Sequence, residues 1–167
     1  MSFANNQVFG DDVTRTYTSA VYPLASERLV LGSQTGVGDQ VWIFVYNSSA
    51  APLALNSLVR HALASPNGTV AAAATAVNPS ALVGVVQGAA LPNVAAADGS
   101  SGPYGWVLKR GVCTVLVGAG YAQDQSLISS AATAAAVDSL TTATTATFGY
   151  SLGAAAAGAA QVYINLI

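Results

Sequence analysis

The pentapeptide Gly149-Tyr150-Ser151-Leu152-Gly153 has the spacing of a hydrolase nucleophile elbow. In that motif a strained strand-to-helix turn exposes the serine, and an acid and then a histidine follow it in the chain. Here no Asp, Glu or His follows Ser151, and the one histidine, His61, lies far upstream. Because a serine hydroxyl without a base is a weak nucleophile near neutral pH, the sequence argues against a serine hydrolase.

Other patterns that could support chemistry are incomplete. Gly118-Ala119-Gly120 follows an apolar run, but the third glycine of a dinucleotide fingerprint is replaced by Gln123, so a hairpin turn is the better interpretation. Asp11 and Asp12 would point to opposite sides of an extended chain. One histidine and one cysteine are too few for a metal site, and Cys113 among valines is typical of a buried apolar side chain. We therefore expect no enzyme activity, no metal and no cofactor.

The composition is unusually poor in charge. Charged residues make up 7% of the 167 residues, against roughly 25% in ordinary soluble domains. The net charge is −2, and five scattered cations are too few to make nucleic acid the main partner. One interpretation is an alanine-rich globular domain; the other is a protein whose surface is largely covered by neighbouring subunits. The start of the chain lacks a secretory pattern and its most apolar stretch is too short to span a membrane, which predicts a soluble product made in the cytoplasm.

The chain divides into two parts by composition. Residues 1–28 are polar and have no sustained hydrophobic period, which predicts an extended N-terminal arm. We expect Arg15, Tyr17 and Arg28 to anchor this arm to a partner. Residues 29–167 carry many short β-prone runs separated by glycine-rich turns, which predicts one domain that is a small all-β sandwich or barrel.

Two of these runs show how the domain should bury its strands. Residues 41–46 place aromatic and aliphatic side chains alternately, so both faces of that strand are apolar and should be covered. Residues 161–166 alternate apolar with polar side chains, which predicts a half-buried terminal strand.

A basic pair, Lys109-Arg110, interrupts the longest β-prone run. In a regular strand the two side chains would point to opposite faces, unless Gly111 marks a bulge that turns both outward. One hypothesis is that the pair protects an edge strand from unwanted pairing. The other is that it forms contacts across a subunit interface, where arginine and tryptophan are enriched.

Several stretches together resemble a known family. Residues 38–59 (GDQVWIFVYNSSAAPLALNSLV), 84–90 (GVVQGAA), 102–117 (GPYGWVLKRGVCTVLV) and 148–167 (FGYSLGAAAAGAAQVYINLI) are similar to the strand and Gly-Ala turn pattern of the capsid decoration, or cement, proteins of tailed bacteriophages. The similarity covers roughly residues 29–167 and is one of pattern, since no single motif is diagnostic.

The resemblance implies a small β-tulip-like fold without an active site. It implies a protein made in the bacterial cytoplasm that binds the outer surface of the phage head as a homo-oligomer, a trimer in most such proteins. There it would bridge neighbouring major capsid protein subunits and stabilise the shell, with no nucleic acid or membrane as partner. The contact residues that we expect are Arg15, Tyr17, Arg28, Trp42, Tyr46, Trp106, Lys109 and Arg110. The alternatives are a virion-surface carbohydrate-binding module, which requires an exposed Trp106, and a tail-tube or connector component.

Overall fold

The computed structural model describes residues 13–17, 31–62, 69–75, 77–93, 102–140 and 147–166. Within these ranges the regular structure is β, apart from one 3-10 turn at Pro79–Ala81, so the all-β prediction is confirmed. No helix among the described residues is long and apolar enough to cross a membrane. The strands are β1 Thr16–Tyr17, β2 Gln34–Val37, β3 Gln40–Asn47, β4 Leu58–His61, β5 Thr69–Ala72, β6 Leu82–Val85, β7 Tyr104–Leu116, β8 Leu127–Ser129, β9 Val137–Ser139, β10 Gly149–Ser151 and β11 Ala159–Asn165.

Five strands close into a barrel. They pair in the order β7-β6-β4-β5-β3, and β3 pairs again with β7 to complete the ring. The β3–β5 pair is parallel and the other pairs in the ring are antiparallel. Closure removes the open sheet edges that would otherwise pair with other chains. The remaining strands extend this sheet, except for β8 and β9, which form a separate hairpin.

The barrel interior is filled by aliphatic side chains from every ring strand. One buried cluster consists of Ile43, Val45, Leu53, Val59, Val70, Val83, Val86, Leu91 and Val107. Neighbouring residues on β3 belong to a different cluster: Trp42 and Phe44 lie on the outer wall of the barrel. This alternation follows from the two-residue period of a strand. The prediction that both faces of this strand are covered is therefore confirmed.

A second core covers the outer wall of the barrel. Besides Trp42, Phe44, Trp106 and Leu108 from the wall, it contains residues from the C-terminal part of the chain, namely Cys113, Val115, Leu127, Val137, Phe148, Val162, Ile164 and Leu166. On β11 the side chains of Val162 and Ile164 are buried, whereas Gln161 and Asn165 are exposed. The prediction of a half-buried terminal strand is confirmed.

Strand β7 serves both cores because it carries a bulge. Val107 lies in the barrel interior and Cys113 in the outer core, although an unbroken strand would place both on one face. The pairing with β3 shows the cause: Leu108 lies opposite Trp42 and Arg110 opposite Val41, which leaves Lys109 as the extra residue. A bulge reverses the inside-outside alternation beyond it.

Part of the predicted arm belongs to the sheet. Strand β1 pairs with the start of β7, with Thr16 opposite Gly105 and Tyr17 opposite Tyr104. The ring of Tyr17 is 6% exposed and packs edge-on against Phe44 at 5.8 Å. Removal of residues 1–28 would therefore take a core side chain away. Residues 1–12 and 18–28 of the predicted arm, including Arg28, lie outside the described residues.

Candidate interaction surface

One face of the sheet formed by β10, β11 and the second half of β7 points to solvent. We call it the outer face; its side chains are Arg110, Val112, Thr114, Tyr150, Gln161, Tyr163 and Asn165. The opposite face of the same strands covers the outer core. In the described part of the chain four large apolar side chains are exposed, and Val112 at 43%, Tyr150 at 48% and the adjacent Leu152 at 37% are three of them. This concentration of exposed apolar side chains makes the outer face the candidate interaction surface.

Two tyrosines and an arginine form a connected group on the outer face. Tyr150 lies opposite Tyr163 in the β10–β11 ladder, and their rings stack with centroids 5.1 Å apart and an interplanar angle of 21°. Arg110 Nε donates a hydrogen bond of 3.1 Å to the hydroxyl oxygen of Tyr163. This hydrogen bond and the charge interaction with Tyr163 raise the pKa of the Arg110 guanidinium, which stays cationic. The group is thus an ordered aromatic platform with a fixed positive charge beside it.

The bulge turns Arg110 onto the outer face. Arg110 lies there exposed, whereas an unbroken strand would place it on the side of Leu108, and Lys109, the extra residue of the bulge, is half-buried. The bulge that the sequence allowed is present, but its extra residue, Lys109, lies two residues before Gly111. Gly111 itself has a φ of 126°, a left-handed backbone that favours glycine.

The edge-protection hypothesis for the basic pair is wrong. Arg110 pairs with Val41 of β3 on one side and with Asn165 of β11 on the other, so this part of β7 is a central strand. Charged side chains protect a strand only where its backbone groups are unpaired.

Side-chain amides protect the free edge of β7 instead. The side-chain amide of Gln87 pairs with both backbone groups of Thr114. Its Nε2 donates to the carbonyl of Thr114, and its Oε1 accepts from the amide of Thr114 at 3.2 Å. Gln40 Nε2 donates to the carbonyl of Val112 at 3.2 Å, and the amide of Leu116 donates to the carbonyl of Asn56 at 2.9 Å. These hydrogen bonds occupy the edge of the second half of β7, which leaves the outer face as the candidate contact surface of this strand.

The structure separates the predicted contact residues into groups. Trp42 and Trp106 are 5% and 1% exposed, and together with Tyr17 they form part of the outer core. We correct the expectation for these three, because a partner could contact their rings only by displacing the core. Tyr46 is half-buried beside Tyr104, with ring centroids 4.9 Å apart.

Arg15, Lys109 and Arg110 are accessible, and their roles as contacts stay predictions together with that of Tyr46. Sequence reasoning did not select Val112, Tyr150 or Tyr163 as contact residues. The available signal was the alternation of Gln161, Tyr163 and Asn165 with buried aliphatic residues, which leaves a tyrosine on the polar side of the strand.

Ser151 of the hydrolase-like pentapeptide has a structural role. It is 3% exposed, and its Oγ donates to the carbonyl of Gln125 at 3.1 Å and accepts from the amide of the same residue at 2.7 Å. The hydroxyl thus joins β10 to the segment before β8. Among the described residues no three His, Cys, Asp or Glu side chains come together as a metal site.

The Gly118–Gly120 segment is a turn built around a carboxylate. The amide of Gly120 donates to Asp138 Oδ1 at 3.0 Å, and the amide of Tyr121 closes the turn on the carbonyl of Gly118 at 3.3 Å. Asp138 is 8% exposed, so the carboxylate is an internal anchor of the turn. These glycines form a turn, as predicted, but the prediction of a hairpin is wrong, because the next strand, β8, pairs with β9 and not with β7.

Comparison with known proteins supports the fold. No protein-family model matches the chain, and the comparison with curated proteins gives no match. A solved structure that matches is the crystal structure of the N base of the head fiber gp8.5 in bacteriophage phi29. The match has a TM-score of 0.50 and 14% sequence identity, and it covers 75% of this chain and 94% of that chain. The chain is therefore similar in fold to the base domain of a phage head fiber.

Proposed function

We propose that the chain is a structural protein of a bacteriophage virion and that it acts on the outer surface of the head as a decoration protein. The observation that carries this proposal is the fold that the chain shares with the N base of a phage head fiber. In this role the protein bridges neighbouring major capsid protein subunits and stabilises the shell, without catalysis. It is made in the cytoplasm of the host bacterium and assembles as a homotrimer.

The physical properties of the chain support a role among packed protein subunits. Only 7% of the residues are charged, so the monomer surface gains little from solvation of ions and little from mutual repulsion between copies. The outer face adds a stacked tyrosine pair, an arginine and exposed apolar side chains. Tyrosine and arginine are enriched at the centres of protein interfaces.

Many copies on one shell compensate for weak individual contacts. With strands about 4.8 Å apart and about 3.3 Å per residue, the outer face is about 15 Å wide and about 20 Å long, so it covers roughly 300 Å². A stable pairwise interface needs about 800 Å² per partner. A trimer that contacts the shell at three points multiplies the effective concentration of each contact. The proposed trimer and its small contact surface are therefore consistent with each other.

The burial of Trp106 argues against the carbohydrate-binding alternative. It requires Trp106 on the surface as a platform for a sugar ring, and Trp106 is 1% exposed inside the outer core. We therefore propose only the decoration function.

Head binding is the experiment that tests this function. Heads from the phage that encodes the chain, prepared from a mutant that lacks it, are mixed with the purified protein. We expect saturable binding with a fixed number of copies per head, measured by sedimentation and by electron microscopy. Heads that already carry the protein serve as the control and should bind no more. Absence of binding at saturating concentration would contradict the proposed function.

A further inference from the structure

We propose that the outer face docks onto an acidic surface of the major capsid protein, where carboxylates of that protein pair with Lys109 and Arg110. The side chains of Val112 and Tyr150 form the apolar part of the same contact. This inference rests on the proposed function and specifies the partner and the chemistry of the contact.

The first support is a pair of cations without a close carboxylate. Lys109 and Arg110 are adjacent at the bulge, and within the described residues neither forms an ion pair, although the more distant carboxylate of Asp39 attracts Arg110. The whole chain has only five Lys and Arg side chains, so two adjacent cations are a concentration of charge. A protein surface that covers them must supply negative groups, because burial of an unpaired charge is costly.

The second support is the orientation of Arg110. The hydrogen bond of 3.1 Å from its Nε to Tyr163 leaves the two terminal nitrogens of the guanidinium for a partner. Those nitrogens form a planar fork that matches the two oxygens of a carboxylate. Because Tyr163 is itself held by the stack with Tyr150, the fork is oriented before the partner arrives, which lowers the entropy cost of binding.

The third support excludes a second copy of the outer face as the partner. Two outer faces packed around a twofold axis would cover the cations with a surface that holds no carboxylate, since none of the side chains of the outer face is Asp or Glu. Cations covered without a partner destabilise such an interface, and roughly 300 Å² of surface is too little for a stable dimer on its own. A partner with complementary charge removes both problems.

Substitution of Arg110 tests the charge pairing. We expect Arg110→Gln to weaken binding to the phage heads about tenfold or more, because a carboxylate covered by the interface loses its partner. Tyr163→Phe should weaken binding by a smaller factor, since it removes only the group that orients the arginine. The matched control is Thr75→Glu, which lowers the net charge by the same one unit at an exposed position beyond β5. Circular dichroism and thermal unfolding check that each variant is folded.

Zero-length cross-linking identifies the partner. Lys109 is the only lysine of the chain, so a water-soluble carbodiimide can join just one side-chain amine to a carboxylate. On decorated heads we expect mass spectrometry to find Lys109 linked to Asp or Glu of the major capsid protein. Lys109→Arg keeps the charge and should bind while losing this cross-link.

The outcomes separate this inference from the proposed function. If the wild-type protein binds heads, but Arg110→Gln binds equally well and Lys109 is not linked to the shell, the docking inference is overturned and the function stands. A cross-link from Lys109 to another copy of the chain would overturn it as well. If the wild-type protein does not bind heads, both are overturned.

Discussion

Asn47 ends strand β3 and ties three segments of the chain together. Its Nδ2 lies 3.1 Å from the carbonyl oxygens of Ala51, Leu91 and Pro92. Its Oδ1 accepts from the amide of Ser49 at 3.0 Å and from the hydroxyl of the same residue at 2.6 Å. The side chain is 0% exposed, so it is engaged and inaccessible although Asn47-Ser48-Ser49 has the form of a glycosylation sequon.

The substitution Asn47→Ala should destabilise the barrel substantially. The carbonyls of Ala51 and Leu91 keep other donors, from Ser49 Oγ and from the amide of Leu53, whereas within the described residues the carbonyl of Pro92 and the amide of Ser49 lose their partners. Each unsatisfied group costs about 1–3 kcal/mol. Both are only partly buried, so the lower half of the range applies and we expect a loss of about 2–4 kcal/mol. That is a large share of the roughly 5–15 kcal/mol that stabilises a domain.

Urea denaturation followed by circular dichroism measures this loss. We expect a lower midpoint with an unchanged slope, because the surface exposed on unfolding stays the same. The matched control is Asn165→Ala, the same change at an exposed position of β11, which should shift the free energy by less than about 0.5 kcal/mol. If both variants lose less than 1 kcal/mol, the assignment of Asn47 as a structural anchor is refuted.

Two further predictions concern packing and the cysteine. Gly84→Ala should cost about 1–3 kcal/mol in thermal unfolding, because a Cβ there would lie 2.5 Å from the carbonyl oxygen of Leu108 and 2.9 Å from Val107 Cγ2. Gly36→Ala, whose Cβ would meet only a carbonyl oxygen at 3.7 Å, is the control, and equal losses in both variants would contradict the close approach. Burial raises the pKa of Cys113 to about 12 from 9.0, so the native thiol should resist thiol reagents at pH 8 and react fully once urea unfolds the protein. Since the raised pKa belongs to the folded state, its contribution to stability is complete below pH 9 and is lost as the pH rises toward 12. Rapid labelling of the native protein at pH 8 would disprove this burial.

The fold class and the faces of the best-patterned strands could be predicted from local periodicity. Strand β3 has apolar residues on both faces and β11 has them on one face. Because side chains alternate along a strand, these patterns predict which faces are buried. The position of the first hairpin depends on which glycine forms the turn. Strand β2 begins at Gln34 and the turn to β3 falls on Gly38-Asp39, where Gly38 has a φ of 61°. Several glycines in this stretch fit a turn equally well, so the pattern does not select one.

The candidate surface could be predicted only in part, because it depends on contacts between distant segments. The basic pair was found, but its place in a central strand depends on β3 and β11, which lie on either side of it in space. The two tryptophans were expected at a subunit interface because interfaces favour that residue type. They are buried because β7 bulges at Lys109 and the C-terminal strands cover the outer wall of the barrel. Composition does not predict the bulge in β7 or which side of the barrel the C-terminal strands cover.

A cryo-electron microscopy reconstruction of decorated heads tests the central claim most directly. The barrel can be fitted into the density for the bound protein, and the side that contacts the shell can be read from the fit. We predict that the outer face of β10, β11 and β7 lies against the major capsid protein, with density connecting Arg110 to an acidic side chain. Density in which this face points away from the shell, or heads that carry no added density at all, would contradict the account.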